Sequence, residues 1–179
     1  MSLIMMHSKP DIRGFSLVEV LVAVFVLAIG LLGLAGLQAK SLQFNYSAYQ
    51  RSQATMLAYD IIDRMRANLG EAQATPSSYD IADNVAPSTS KNCQTNDPMV
   101  TCTAAEMASF DLNQWKCALS TTYDANTVCT GLGIKGALLE ATGSIATAGG
   151  ITTVTIVWVD DRTKTGDDRK TTFTVSTKL

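Results

Sequence analysis

The sequence contains only one histidine among its 179 residues. That residue, His7, lies in a short N-terminal segment that we expect to be removed, for reasons given below. The rest of the chain therefore lacks an imidazole for a Ser-His or Cys-His nucleophile pair, and for a zinc site that uses histidine. We accordingly expect no catalytic residue, no metal site and no cofactor.

The sequence is also poor in charge. Charged residues make up 17% of the chain, and 14 Lys plus Arg face 16 Asp plus Glu, which gives a net charge of −2. Proteins that bind nucleic acid usually present a basic surface, and this composition offers none. We therefore expect no nucleic-acid partner.

One long apolar run dominates the N-terminal part. From Val20 to Leu37 the chain reads VLVAVFVLAIGLLGLAGL, without a charge. As a helix this run is about 27 Å long, close to the roughly 30 Å of a bilayer core. A buried core helix is the alternative, but a helix that is apolar all round needs more protein to cover it than this chain supplies. The run predicts a membrane helix, in which Gly30, Gly33 and Gly36 either allow close helix approach or face lipid.

The residues before the run indicate its orientation. Lys9 and Arg13 stand against Asp11, so the N-terminus is basic and favours the cytoplasmic side, with the C-terminal part across the membrane. A secretory signal peptide would be followed by a small-residue cleavage site. Here the run continues into LQAKSLQFNYSAYQ. On these grounds alone an uncleaved signal anchor stays open.

The junction ahead of the run carries a more specific pattern. It reads RGFSLVEVL, with Gly14, Phe15 and, four residues later, Glu19. This segment resembles the prepilin signal of type IV pilins and type II secretion pseudopilins. The resemblance implies that a prepilin peptidase cuts after Gly14 on the cytoplasmic side and methylates the new amine of Phe15. A glycine suits such a cut because it has no side chain to obstruct an extended cleft.

Glu19 needs a physical reason to lie in a membrane helix. An ionised carboxylate there costs roughly 2.5–3.5 kcal/mol on insertion scales. The singly methylated amine of Phe15 stays cationic, and a neighbouring subunit staggered by about one turn would present it to Glu19. The alternative is that Glu19 is solvated at the headgroup boundary. The resemblance favours intersubunit charge pairing.

Beyond the membrane the sequence predicts that the helix continues. From Gln38 to Leu69 apolar residues keep a spacing of three or four, and Gly70 is a plausible stop. The whole element is then one helix of about fifty residues. We interpret its tyrosine and methionine stripe as core rather than as a ligand site; the stripe includes Tyr46, Tyr49, Met56 and Met65.

The remaining sequence predicts a small α+β head. Residues 71–100 are rich in Ser, Thr, Asn, Asp and Pro, which indicates a long surface loop. A capping box from Thr103 to Glu106 opens a short helix that reaches Leu119. Strands are predicted over Ile151 to Val159 and Lys170 to Thr177, joined as a hairpin.

The loop of that hairpin contains four aspartates, which raises the hypothesis of a calcium site. Their spacing is not that of an EF-hand, and basic residues are interleaved. We interpret the loop as a solvated hairpin tip. The aspartates are Asp160, Asp161, Asp167 and Asp168.

All four cysteines fall in the predicted head. An even number in an oxidising compartment implies two disulfides, with three possible connectivities. We favour the two pairs that close local loops, and a zinc site of four thiolates is disfavoured by compartment and spacing. The favoured pairs are Cys93–Cys102 and Cys117–Cys129.

The resemblance thus implies an α+β fold of type IV pilin-like architecture, in which a long N-terminal helix packs on a disulfide-bonded head with a C-terminal antiparallel sheet. The chain is most similar to PilV-type minor pilins, by its GFSLVEVLVA start, its Gly-rich LLGLA run and its Trp158 strand. The expected segments are 1–14 (removed leader), 15–37 (transmembrane or filament-core helix), 38–70 (amphipathic continuation) and 71–179 (extracytoplasmic head).

Function and partners follow from the same resemblance. It implies a low-abundance subunit that primes pilus assembly, lies near the pilus tip and supports twitching motility and attachment. Its partners would be the prepilin peptidase, other minor pilins, the major pilin and the inner-membrane assembly platform. A minor pseudopilin of a type II secretion system is the alternative, and a membrane-anchored periplasmic enzyme or receptor is a third reading.

Overall fold

The computed structural model describes residues 14, 16–94, 101–161 and 163–179. These residues form four α-helices and one three-stranded antiparallel sheet, which confirms the predicted α+β class. The helices are α1 (Leu17–Ala67), α2 (Leu69–Ala72), α3 (Ala104–Leu119) and α4 (Thr127–Leu132). The strands are β1 (Thr142–Ala148), β2 (Ile151–Val159) and β3 (Lys170–Lys178). Two short 3₁₀ helices cover Thr121–Tyr123 and Gly166–Arg169.

The chain divides into two units, and the boundary falls inside α1, between Phe44 and Asn45. In the first unit every residue of α1 is exposed. By length and composition this is a helix that can cross a membrane, as the apolar run predicts.

The second unit has its own hydrophobic core. One face of α1 supplies small and branched residues, α3 supplies Trp115 and Leu119, and β2 supplies its inward side chains. The indole Nε1 of Trp115 donates a hydrogen bond of 3.0 Å to the carbonyl oxygen of Leu57, which fixes α3 against α1. The α1 residues of this core are Ala54, Ala58, Ile61, Ile62 and Met65.

The structure corrects the prediction for the tyrosine and methionine stripe. Met65 is buried, but Tyr46, Tyr49 and Met56 are 49%, 58% and 62% exposed. The head packs instead on the face of α1 that carries Ala54 and Ala58, because these small side chains let α3 and the sheet approach the helix backbone closely.

The end of α1 also differs slightly from the prediction. The helix ends at Ala67 and α2 begins two residues later, so Gly70 lies inside α2 rather than at the stop. The side chain of Asn68, between the two helices, donates to the carbonyl oxygen of Ala104 at 2.8 Å and to the hydroxyl of Tyr79 at 3.2 Å. Contacts with α3 and the following loop therefore set this boundary.

The sheet contains one strand that was not predicted from the sequence. Strand β1 reads TGSIATA and has Ile145 as its only large apolar residue, so its own alternation is weak. A tight turn at Gly149 and Gly150, both with positive φ, folds β1 back on β2. A Cβ on Gly143 of β1 would come within 2.6 Å of Trp115, so glycine is needed where the strand crosses α3.

Local bonds complete the head. Helix α3 opens with the predicted capping box, in which Thr103 and Glu106 bond to each other's backbone N–H. Cys93 pairs with Cys102, and Cys117 on α3 pairs with Cys129 on α4, with Cα–Cα distances of 5.9 and 5.3 Å. The two disulfides expected in the head are therefore present, in the local pairing.

A buried lysine links α3 to the sheet. Lys116 is 1% exposed, and its Nζ donates to the carbonyl oxygens of Ala82, Asp83 and Gly143 at 2.9, 3.2 and 2.6 Å. Burial lowers the pKa of this ammonium from 10.5 to about 8, and the nearby charge of Asp83 opposes the shift. Three carbonyls thus replace the water that the ammonium loses on folding.

Candidate functional site

The junction that resembles a prepilin cleavage site lies before the first turn of α1. Gly14 is exposed and belongs to no helix or strand, whereas Phe15 lies outside the described residues. Ser16 caps the N-terminus of α1, because its carbonyl oxygen accepts from the N–H of Glu19 at 3.0 Å and its hydroxyl accepts from the N–H of Val18 at 3.3 Å. Gly14 therefore precedes the hydrogen-bonded turns of α1. The capping role of Ser16 was not part of the sequence prediction, although serine is a common N-cap residue.

Glu19 occupies the first turn of α1 and is exposed. A carboxylate is favourable there because helix N-terminal N–H groups carry partial positive charge. Among the described residues, no cation lies within salt-bridge distance of Glu19. Its carboxylate is therefore accessible to a partner from another chain.

The apolar part of α1 in the first unit offers a continuous contact surface. A Cβ built on Gly30, Gly33 or Gly36 would meet no atom within 4 Å. The side chains around them, such as Phe25 and Leu32, are 63% and 74% exposed. Such a surface needs either lipid or other apolar helices to cover it.

A second exposed apolar surface lies on α1 within the second unit. Tyr46, Tyr49, Met56 and Tyr59 are each about half exposed or more, with values from 49% to 62%. We call these four residues the Tyr–Met stripe; it differs from the predicted stripe by Tyr59 in place of the buried Met65. Aromatic and methionine side chains are enriched at protein–protein contacts, so the stripe can serve as one. Tyr59 was not among the residues singled out from the sequence.

A polar cluster of the head joins α1, α3 and the loop after α2. The Arg64 guanidinium donates to Asp60 at 2.9 Å and to Asp111 at 3.1 Å, and the hydroxyl of Tyr79 donates to Asp111 at 2.8 Å. Burial and the bond to Asp111 raise the pKa of Tyr79 well above its ordinary value. A cavity of about 400 Å³ lies beside this cluster and is lined by Arg64, Asp111 and Met107 among others. The charged groups of the cluster already pair with each other, so the cluster serves to hold α1, α3 and the loop together.

Two aspartates of the β2–β3 hairpin are engaged by neighbouring side chains. Asp160 accepts hydrogen bonds from Ser47 at 2.8 Å and Thr171 at 3.3 Å, which ties the hairpin to α1. Asp167 forms an ion pair of 2.9 Å with Lys170. Within residues 14, 16–94, 101–161 and 163–179, no group of three or more His, Cys, Asp or Glu side chains is arranged to hold a metal ion.

Comparison with known families matches two adjacent parts of the chain. The prokaryotic N-terminal methylation motif matches residues 9–35, which include the Gly14 junction, Glu19 and most of the apolar run. A model described as type IV pilin Tt1218 matches residues 36–113, from the middle of α1 into α3. No curated protein and no solved structure matches the chain significantly.

The two matches agree with the geometry of the chain. The methylation motif covers the helix start and its exposed apolar surface, and the pilin model covers the half of α1 on which the head packs. The signal implies processing by a peptidase and association with the membrane. Together the matches run without a gap from residue 9 to residue 113, and they support a type IV pilin-like family for this chain.

Proposed function

We propose that this chain is a minor type IV pilin that helps to prime pilus assembly and lies near the pilus tip, where it supports twitching motility and attachment. The observation that carries the proposal is the methylation motif over residues 9–35, which runs into α1, a helix whose residues up to Phe44 are all exposed. A helix of this kind requires a bilayer before assembly and other helices after it. The minor role and the tip location rest on the resemblance of the sequence start to PilV-type minor pilins.

The proposal divides the chain by environment. Residues 1–14 form the leader that is removed, 15–37 form the membrane or filament-core helix, 38–70 continue the helix, and 71–179 complete the head. Before assembly the chain spans the inner membrane once, with the head in the periplasm. The prepilin peptidase, other minor pilins, the major pilin and the inner-membrane assembly platform are its proposed partners.

Glu19 and the Tyr–Met stripe are the proposed contacts between subunits. Glu19 pairs with the methylated amine of Phe15 on a neighbour, because a charge in a dry bundle is stable only when it is paired. The Tyr–Met stripe lies on the face of α1 that the head leaves uncovered. A neighbouring subunit that covers it removes apolar surface from water.

The first experiment determines the N-terminus by mass spectrometry, in the membrane fraction and in fibres sheared from the cells. We expect a chain that begins at N-methyl-Phe15 in both fractions. Gly14→Val should retain the leader and be absent from the fibres, because a branched side chain obstructs the cleavage cleft. Gly36→Ala is the matched control and should be processed normally.

The second variant separates processing from assembly. Glu19→Gln should be processed normally but recovered from fibres at a level on the order of tenfold lower, because the amine of the neighbour loses its partner. Asp63→Asn removes an exposed carboxylate from the same helix and should change neither result. A wild-type chain that still carries residues 1–14 would contradict the proposal. Normal piliation with lost exoprotein secretion, on deletion of the protein, would assign it to a type II secretion system instead.

A further inference from the structure

The two edges of the three-stranded sheet differ in how their backbone groups are used. At the β1 edge, Ile145 exchanges two backbone hydrogen bonds of 2.9 Å with Ile81. The neighbouring carbonyl of Gly143 accepts from the buried ammonium of Lys116 at 2.6 Å. The chain therefore covers the β1 edge with its own groups.

The register of the sheet shows which groups of β3 point away from β2. The two-residue turn makes Ala148 and Ile151 a hydrogen-bonded pair, and such pairs alternate along an antiparallel ladder. Residues 152, 154, 156 and 158 of β2 therefore bond to β3, at residues 177, 175, 173 and 171. The same alternation makes the backbone groups of Ile145 in β1 point away from β2, in agreement with their hydrogen bonds to Ile81. Thr172, Thr174 and Ser176 then direct their backbone N–H and C=O groups outward.

We call the outward groups of Thr172, Thr174 and Ser176 the open edge. All three residues are exposed, and no described residue makes a hydrogen bond to their outward backbone groups. Their side chains bond only within the sheet, for example the hydroxyl of Ser176 to that of Thr153 at 2.9 Å. An uninterrupted edge of this length is a template for one more strand.

The charges at the open edge select the occupant. Lys170 and Lys178 stand at its two ends, and the strand between them, KTTFTVSTK, contains no acidic residue. Asp167 pairs with Lys170 from the preceding turn, and Lys178 has no ion pair among the described residues. Lys170 and Lys178 lie four residues on either side of Thr174. If β3 of a second copy paired antiparallel with this edge about Thr174, Lys170 of each copy would lie opposite Lys178 of the other. Like charges directly opposite each other destabilise a strand pair, which disfavours self-association.

We propose that the open edge of β3 docks an extended segment of a different protein, one whose carboxylates stand about eight residues apart and face Lys170 and Lys178. The added strand would satisfy the open backbone groups and extend the sheet to four strands. It would also cover the outer flanks of Phe173 and Val175, which are half-buried against the core. The partner is thus an acidic-ended strand on a neighbouring protein. This docking goes beyond the pilin role and is a property of the head.

The test uses the full chain in detergent micelles and three defined variants of one probe. The probe is a peptide of alternating threonine and valine, as long as the nine residues of β3. One version ends in glutamate on both sides, one ends in lysine, and one is the glutamate version N-methylated at alternate amides to remove the donors.

Binding and backbone hydrogen exchange are measured by NMR. We expect the glutamate peptide to slow exchange at Thr172, Thr174 and Ser176, and to bind at least about fivefold more tightly than the lysine peptide. The N-methylated peptide should not bind.

Two sets of protein variants sharpen the result. Reversing both charges, Lys170→Glu with Lys178→Glu, should invert the preference between the two peptides. Thr174→Pro removes one outward N–H and should abolish binding, whereas Thr174→Ala keeps that group and should bind normally. The charge reversal lies on the surface and tests the inference even if the proline variant does not fold.

Three results would overturn the docking. They are equal binding of the glutamate and lysine peptides, protection located away from β3, and no binding at all. None depends on pilus assembly, so this failure is distinct from a failure of the pilin proposal, which is read from the N-terminus and from sheared fibres.

Discussion

The two parts of α1 form one continuous helix but are stabilised differently. Up to Phe44 every side chain of the helix is exposed, whereas from Gln50 to Met65 one face is buried under the head. A helix satisfies its own backbone hydrogen bonds, so the first part keeps its secondary structure without tertiary contacts in a bilayer. The second part is held by packing against α3 and β2. Tertiary stability therefore resides in the second unit, and the first unit depends on its surroundings.

The largest expected difference between the two parts comes from removing a large aromatic side chain. Trp115→Ala should destabilise the head by about 3–5 kcal/mol, because it leaves a cavity and removes the indole hydrogen bond to the Leu57 carbonyl. Phe25→Ala removes an exposed aromatic residue from the first unit and should leave the unfolding of the head unchanged. Denaturant unfolding in micelles, followed by the fluorescence of Trp158, measures both. An equal loss in both variants would show that the two parts unfold as one.

A glycine comparison has the next largest effect. A Cβ on Gly136 would overlap the backbone of Ser120 and Thr121, so Gly136→Ala should cost about 1–3 kcal/mol of head stability. A Cβ on Gly33, in the exposed helix, meets nothing within 4 Å, and Gly33→Ala should leave the head unaffected. The same unfolding assay measures both variants. A neutral result for Gly136→Ala would contradict the tight contact between the α4–β1 loop, which contains Gly136, and the residues that follow α3.

The smallest expected effect concerns Lys116 and pH. Its pKa is about 8 in the folded head and 10.5 in the reference state, so between these values the unfolded chain binds more protons. Stability should therefore rise with pH, by on the order of 1 kcal/mol from pH 8 to 9.5. Denaturant unfolding at the two pH values measures it. This pH range stays below the ordinary pKa of tyrosine. At higher pH the raised pKa of Tyr79 would make stability fall, which would oppose the effect of Lys116.

The controls for this pH effect again compare the two parts. Lys116→Met should abolish the rise, because no titrating group is left at that position. Glu19→Gln, in the first unit, should leave the rise intact. A wild-type head that loses stability over this pH range would contradict the burial of the charged ammonium.

Several features of the head were predictable because their signals are local. The capping box at Thr103 is encoded within four residues, and β2 and β3 carry their own alternation of side chains. The two disulfides close short loops, which favoured the local pairing, but three connectivities stayed open until the structure paired the cysteines. Strand β1 was missed because TGSIATA gains its strand conformation from pairing with β2, and Ile145 alone gives no pattern.

The Tyr–Met stripe shows the limit of a helical spacing. Both faces of the second part of α1 carry apolar residues, so the period alone does not say which face meets the head. Packing decides it, because the small Ala54 and Ala58 let Trp115 reach the helix, and the larger Tyr46, Tyr49 and Met56 stay outside.

By itself the sequence determined the helix, the apolar run, the processing signal and the class of the fold, since each depends on residues that are close in the chain. Only the tertiary structure decided which face of α1 is buried, how Lys116 is held and which edge of the sheet stays open. These features depend on groups far apart in sequence, such as Ile81 against Ile145 and Lys116 against Gly143. Their positions follow from the packing of the whole head, which no local pattern records.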